Sequence, residues 1–225
     1  MRRLTANFAQ RCPRCLLTRR WCVCPAHREV RCALAVDVLM HPREQFRPTS
    51  TGHLIRRVLP DSRQHVWTRE RSLAADAVRR PGRELWVLHP HGQPPPIESS
   101  PEQVQVLLLD GVWSEATAMA QAVAGWGRLV ALPMQGTSRF WLRTQQDGGR
   151  FSTVESLLFL LQTFGLREAH DELRLQFELH VYASLRARGR RDLAEHFLDG
   201  SPAAKAFAGF LAQLHARRPL APPPP

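Results

Sequence analysis

Apolar and polar residues alternate in two rhythms between residues 33 and 200. Short unbroken apolar runs are followed by stretches whose apolar residues recur every three to four positions. The first rhythm is that of buried strands and the second that of amphipathic helices. Residues 33–40 form an apolar, β-branched run that stops at His41-Pro42. Residues 51–59 have helical spacing, with Leu54, Ile55, Val58 and Leu59 on one face. Runs at 84–88 and 104–109 read as buried strands, and residues 113–124 as an Ala-rich helix with Gly125 behind it. Residues 128–132 make a further strand, ended by Pro133. Residues 152–164 carry a capping box, Ser152-Thr153-Val154-Glu155, and close on Gly165. Residues 171–187 are a longer amphipathic helix that ends before Gly189. Strands alternating with helices predict an α/β fold with a mostly parallel sheet covered on both faces. Ligands in such sheets sit at the carboxyl ends of the strands.

Composition divides the chain into three parts. Residues 1–32 are rich in Cys and Arg, residues 33–215 hold the alternating pattern, and residues 216–225 are a stiff Pro-rich tail. A chain of 225 residues suits one sizeable core with a small appendage. No run of eighteen apolar residues occurs, and the longest, around 154–161, is broken by Glu155, so no membrane partner is expected. Residues 1–10 lack an apolar signal core, which predicts a cytoplasmic location. Nothing in the pattern calls for an obligate protein partner. The formal net charge of +11 favours a polyanion, nucleic acid above all. Lys205 is the sole lysine among 31 basic residues, and arginine pairs bidentately with phosphate.

Cys12, Cys15, Cys22 and Cys24 follow the pattern C-x2-C-x6-C-x-C. Two close pairs joined by a short loop suit a tetrahedral thiolate site for Zn2+, and four thiolates leave no open position, so the site is expected to be structural. Arg11, Arg14, Arg19 and Arg20 stand nearby to offset the thiolate charge, while Cys32 reads as a small core residue.

The run 104–109 delivers Asp110 to a strand end, and Gly111 permits a turn into the next helix. A ligand-binding carboxylate belongs at that place, although Asp also caps helices. Trp113 reads equally as a ligand-stacking ring or a core aromatic, and Ser50 as an ordinary N-cap.

The segment Leu-Asp-Gly-Val-Trp at 109–113 resembles the Leu-Asp-Gly-Thr-Trp segment of the DTW-domain family. Other blocks agree in order: the cysteine cluster; His41-Pro42-Arg43-Glu44 followed by Thr49-Ser50-Thr51-Gly52-His53-Leu54; Phe140-Trp141-Leu142-Arg143; and Ser152-Thr153-Val154-Glu155-Ser156. The resemblance spans roughly residues 12–165. Val112 departs from the threonine of the family name, Ser156 from an alanine, and Trp141 stands at a position where tyrosine neighbours are usual.

The resemblance implies a SPOUT-like fold with a trefoil knot. It also implies a tRNA-uridine aminocarboxypropyltransferase, which moves the 3-amino-3-carboxypropyl group of S-adenosylmethionine to uridine N3 and releases methylthioadenosine. Asp110, Trp113 and Glu44 are then the catalytic candidates, with Asp110 as proton acceptor. Thr51, Gly52, Leu109, Asp110, Leu132, Pro133, Ser138, Thr153 and Glu155 are candidates for holding S-adenosylmethionine, although the capping box by itself accounts for Glu155. Arg43, Arg47, Arg56, Arg139 and Arg143 are candidates for tRNA, within a basic rim that also takes in Arg57, Arg63 and Arg150. Two rival functions fit the same features: a SPOUT-type RNA methyltransferase, and a zinc-containing RNA-binding protein without catalysis. By-product identity separates the first rival and cofactor binding the second.

Overall fold

A computed structural model describes residues 11–68, 73–142 and 150–217. Its sheet has five parallel strands: β1 (Ala35–Met40), β2 (Arg63–Val66), β3 (Glu84–Gln93), β4 (Val104–Asp110) and β5 (Arg128–Val130). Their spatial order is β2-β1-β4-β3-β5. Two strands differ from expectation in length: β3 continues past Leu88 to Gln93 through an irregularity against β5, and β5 stops at Val130.

Alternation along the strands divides the side chains between two layers. Val36, Val38, Met40, Val106 and Leu108 join the larger core. That layer is built from α1 (Gly52–Val58), α4 (Thr153–Thr163) and α5 (Arg167–Ala187), together with the cysteine segment. Leu39, Val87 and Leu107 point the other way, into a smaller core closed by α2 (Ala75–Val78) and α3 (Trp113–Ala122). Each fully buried aliphatic side chain contributes about 1.5–3 kcal/mol, so both faces are strongly specified.

On the second face the buried Asp37 accepts from Arg80 Nη2 at 2.5 Å, Gln105 Nε2 at 2.6 Å and the Arg63 amide at 2.9 Å. That carboxylate is fully used within the fold. The Arg63 end of β2 lies in register with Asp37, away from the carboxyl ends of the strands, so Arg63 does not join the rim expected for it.

α5 begins at Arg167, earlier than its apolar pattern predicts, and Gln176–Leu185 within it is buried throughout. Three further helices, α6 (Arg191–Asp199), α7 (Ala203–Ala206) and α8 (Ala208–Ala216), pack beyond it through Phe197, Leu211 and Leu214.

The chain leaves β1 through α1 on one face and leaves the adjacent β4 through α3 on the other. Adjacent strands whose connections part to opposite faces open a crevice at their carboxyl ends. Met40 is opposite Asp110 there, and the Asp110 carbonyl accepts from the His41 amide at 2.9 Å. Among the described residues, no helix is long and apolar enough to cross a membrane.

Candidate active site and metal centre

The cysteine segment folds back on itself. The Leu16 amide donates to Cys12 O at 2.9 Å and the Cys12 amide to Leu17 O at 2.8 Å, with Leu16 in the left-handed region at φ 61°. This turn aims Cys12 and Cys15 inward, while Cys22 and Cys24 flank a second turn. The Sγ–Sγ distances are 3.7 Å for Cys12–Cys24 and 3.8 Å for Cys15–Cys22, and all four sulfurs lie within 4.8 Å of one another. Four sulfurs at the usual Zn–S length of ~2.3 Å stand ~3.8 Å apart. The set can therefore hold a zinc ion, and Cys32 is outside it.

The four thiols are unequal. Hydrogen bonds from Cys22 and Cys24 hold Cys15 well below the usual thiol range, and Cys22 is correspondingly pushed up to about 11. Arg57, reached from α1, donates to Arg14 O at 3.2 Å and has an enclosed Nε. Burial pulls its guanidinium down and the four sulfurs oppose that shift. Arg57 is thus a counter-charge to the thiolates and not part of the rim.

Asp110 is 4% exposed and lies on the α1/α4 side of the sheet. Ser50 Oγ donates to its Oδ2 at 2.6 Å and Thr153 Oγ1 to its Oδ1 at 2.6 Å. Two hydroxyls from two different helix starts thus fix one carboxylate, and each oxygen retains a second lone pair for a ligand. Ser50 does not cap α1, whose N-cap is Thr51. A Cβ at Gly52 would stand 2.7 Å from Asp110 Oδ2, so the glycine is what lets the carboxylate seat against α1.

Two cavities adjoin through Gly111, Trp113 and Thr153, and Asp110 lines one of them. One, of about 280 Å3, is mostly apolar and bordered by Leu88, His89, Leu109, Val130, Leu132 and Phe151. His89 is 7% exposed. Its Nδ1 accepts from the His91 amide at 3.3 Å, and its Nε2 has no partner among the described residues. The other cavity, of about 470 Å3, is polar, with Glu44, Arg47, Ser50, Thr51, Asp110, Arg150 and Arg188 in its wall. Trp113 stands 43% exposed at the junction.

The crevice gathers Asp110, Trp113, Glu44, Thr51, Leu109, Leu132 and Thr153 from the expected set. Glu44 is buried and paired with Arg47. Glu155 lies apart from both cavities. It accepts from the Ser152 amide at 2.7 Å, Ser138 Oγ at 2.9 Å and the Arg139 amide at 2.7 Å, so it fastens the loop before α4 to the helix start and Ser138 serves that clasp. Pro133 is exposed and borders neither cavity. Arg139 is spent inside the helical layer, over the Phe197 ring at 4.1 Å and donating to Phe197 O at 2.9 Å. Arg43 and Arg56 are exposed. Arg143 lies outside the described residues.

The DTW domain model matches residues 9–185. The chain belongs to the DTW-domain family. That membership supports a role in tRNA modification. No solved structure matches the chain. The DTW match closes inside α5, so α6, α7, α8 and Arg188 lie beyond it.

The geometry accounts for the DTW-segment departure. Val112 is the N-cap of α3 in extended conformation, and its amide donates to Glu115 Oε2 at 2.9 Å. A threonine there would accept in return from the third helical amide and complete a capping box. Valine has no acceptor, so half of the box is missing.

Ser50 and Arg188 were not legible as cavity residues. Serine before a helical run reads as a cap, and Arg188 sits at the end of a helix that otherwise reads as core.

Proposed function

We propose that this protein is a tRNA-uridine aminocarboxypropyltransferase that uses S-adenosylmethionine as cosubstrate and carries a structural Zn2+ in its four-cysteine site. The observation that carries the reading is Asp110, held by Ser50 and Thr153 in the wall of a polar cavity that shares Gly111, Trp113 and Thr153 with an apolar one. The reading brings with it the SPOUT-like class and the knotted chain that the family resemblance implies.

The residues present fit the cosubstrate. The apolar cavity is walled for a flat nucleobase by Leu109, Val130 and Leu132, and the unpartnered Nε2 of His89 offers it a donor. The carboxylates of Asp110 and Glu44 favour a sulfonium and an ammonium on the polar side. Trp113 at the junction can stack on a base.

When bound, the cosubstrate supplies an electrophilic γ-carbon: the uridine N3–Cγ bond forms as the Cγ–S bond breaks, and the electron pair leaves on sulfur as neutral methylthioadenosine. Asp110 accepts the N3 proton on a free lone pair, which leaves N3 nucleophilic. Ser50 and Thr153 orient that carboxylate, so positioning supplies most of the rate. The four-cysteine centre takes no part in the chemistry, because four thiolates fill a tetrahedral zinc. An unpaired loop nucleotide is the substrate, since N3 is engaged in a duplex.

The test uses two batches of cosubstrate, one labelled in the aminocarboxypropyl carbons and one in the methyl group. Transfer of the first label alone to tRNA supports the reading. Transfer of the methyl label makes the protein a methyltransferase. Transfer of neither label, with tRNA and zinc bound, makes it a binding protein.

A further inference from the structure

The polar cavity holds more positive charge than its own acids use. Of the three arginines that line it among the described residues, Arg47 is paired with Glu44. The other acid of the cavity among the described residues, Asp110, accepts from two hydroxyls and forms no ion pair with Arg150 or Arg188. Arg150 is exposed and has no acidic partner among the described residues. Arg188 donates Nη1 to Leu142 O at 3.1 Å and likewise has no acidic partner among them. Burial pulls the Arg188 guanidinium down and the like charge of Arg190 adds to that shift. Two cations in the wall of one cavity, with no acidic partner among the described residues, make an arrangement that an anion relieves.

The two arginines reach the cavity from distant parts of the chain. Arg150 precedes α4, and Arg188 follows α5, beyond the segment matched by the DTW domain. The same cavity wall carries the hydroxyl of Thr49, while that of Ser50 is committed to Asp110. Guanidinium groups and hydroxyls around one space are the donor set that an oxyanion takes.

We propose that Arg150 and Arg188 form an oxyanion site in the polar cavity, occupied by a phosphodiester of the RNA substrate or by the carboxylate of the cosubstrate. The inference rests on the tRNA-modifying reading for the identity of these two sources, but not for the oxyanion chemistry. An anion held here stands next to Asp110, so it sets how far a target nucleotide, or a methionine moiety, enters the crevice.

The experiment uses the full zinc-loaded chain and the variants Arg150→Ala, Arg188→Ala and Arg190→Ala, the last being an exposed arginine that does not border the cavity. Binding of an unmodified tRNA transcript is measured over a series of salt concentrations, and S-adenosylmethionine and methylthioadenosine are titrated separately. For a phosphodiester, Arg150→Ala and Arg188→Ala each lower the log–log salt slope by roughly 0.7–0.9. Arg190→Ala then lowers it less, and cosubstrate affinity is unchanged. For the carboxylate, S-adenosylmethionine weakens about tenfold, or ~1.4 kcal/mol, while methylthioadenosine, which lacks that group, binds as before. Either pattern supports the site.

The proposal is overturned if neither ligand responds, or if Arg190→Ala changes the slope as much as Arg188→Ala. The substituted arginines are all at the surface, and matched melting temperatures check that the variants fold. If these ligands bind as proposed and no label moves to tRNA, the transferase reading fails and the oxyanion site stands.

Discussion

Val112→Thr tests the account of the DTW-segment departure. Val112 already has the extended backbone of an N-cap, φ −72° and ψ 165°, and Glu115 already accepts its amide. Threonine is close to valine in shape and adds only the missing acceptor for the Glu115 amide. An N-cap hydroxyl is worth about 1 kcal/mol. Val112 is 47% exposed, so its replacement forfeits little burial. In a protein of this size 1 kcal/mol moves the melting temperature by roughly 2–4 °C. Scanning calorimetry of the zinc-loaded protein should show a rise of that order, with cosubstrate affinity within about twofold of wild type. An unchanged or lower melting temperature would refute the capping argument. A large change in affinity at unchanged stability would make the hydroxyl a ligand contact instead.

Gly52→Ala should push the Asp110 carboxylate off its seat, because the new Cβ stands 2.7 Å from Oδ2. A displacement of that size costs about a hundredfold in rate, and transfer at wild-type rate would remove Gly52 from the argument. Cys15→Ser should lower the zinc content measured by atomic absorption and reduce the melting temperature, since the ligand is fully buried; full zinc occupancy in the variant would contradict the four-thiolate site. Burial pushes His180, which is 0% exposed, down to about 3. The unfolded chain protonates it near ~6.5, so its contribution is complete above that pH and is lost as pH falls from there toward 3. Between pH ~6.5 and ~5 the loss amounts to about 2 kcal/mol, and His180→Gln should flatten the urea midpoint over that range. Parallel pH profiles for the two proteins would contradict it.

The central strands β1 and β4 were legible because burial on both faces makes them largely apolar, with Asp37 and Gln105 the buried exceptions before Asp110. The edge strand β2, Arg-Gln-His-Val, was not: it pairs on one side only and its residues remain half-buried or exposed. Of the three helices after Gly189, α6 carries a helical period in Leu193, Ala194, Phe197 and Leu198, whereas α7 has four residues and is too short to show one. At the site, Asp110 and Thr153 were legible because a strand end and a helix start are places where ligands gather. Ser50 and Arg57 were hidden by their neighbours: an ordinary cap position and an ordinary helical arginine acquire roles only when β4 and the cysteine turn are brought against them. Glu155 shows the converse, a motif carboxylate whose partners all belong to the fold.

The most direct test of the central claim is to incubate the purified protein with unmodified tRNA and S-adenosylmethionine, digest the RNA, and identify the modified nucleoside and the small-molecule by-product by mass spectrometry. The account predicts N3-aminocarboxypropyl-uridine and methylthioadenosine in equal amounts, with both absent for Asp110→Asn. Methyl-uridine with adenosylhomocysteine, or undiminished product from Asp110→Asn, would contradict it.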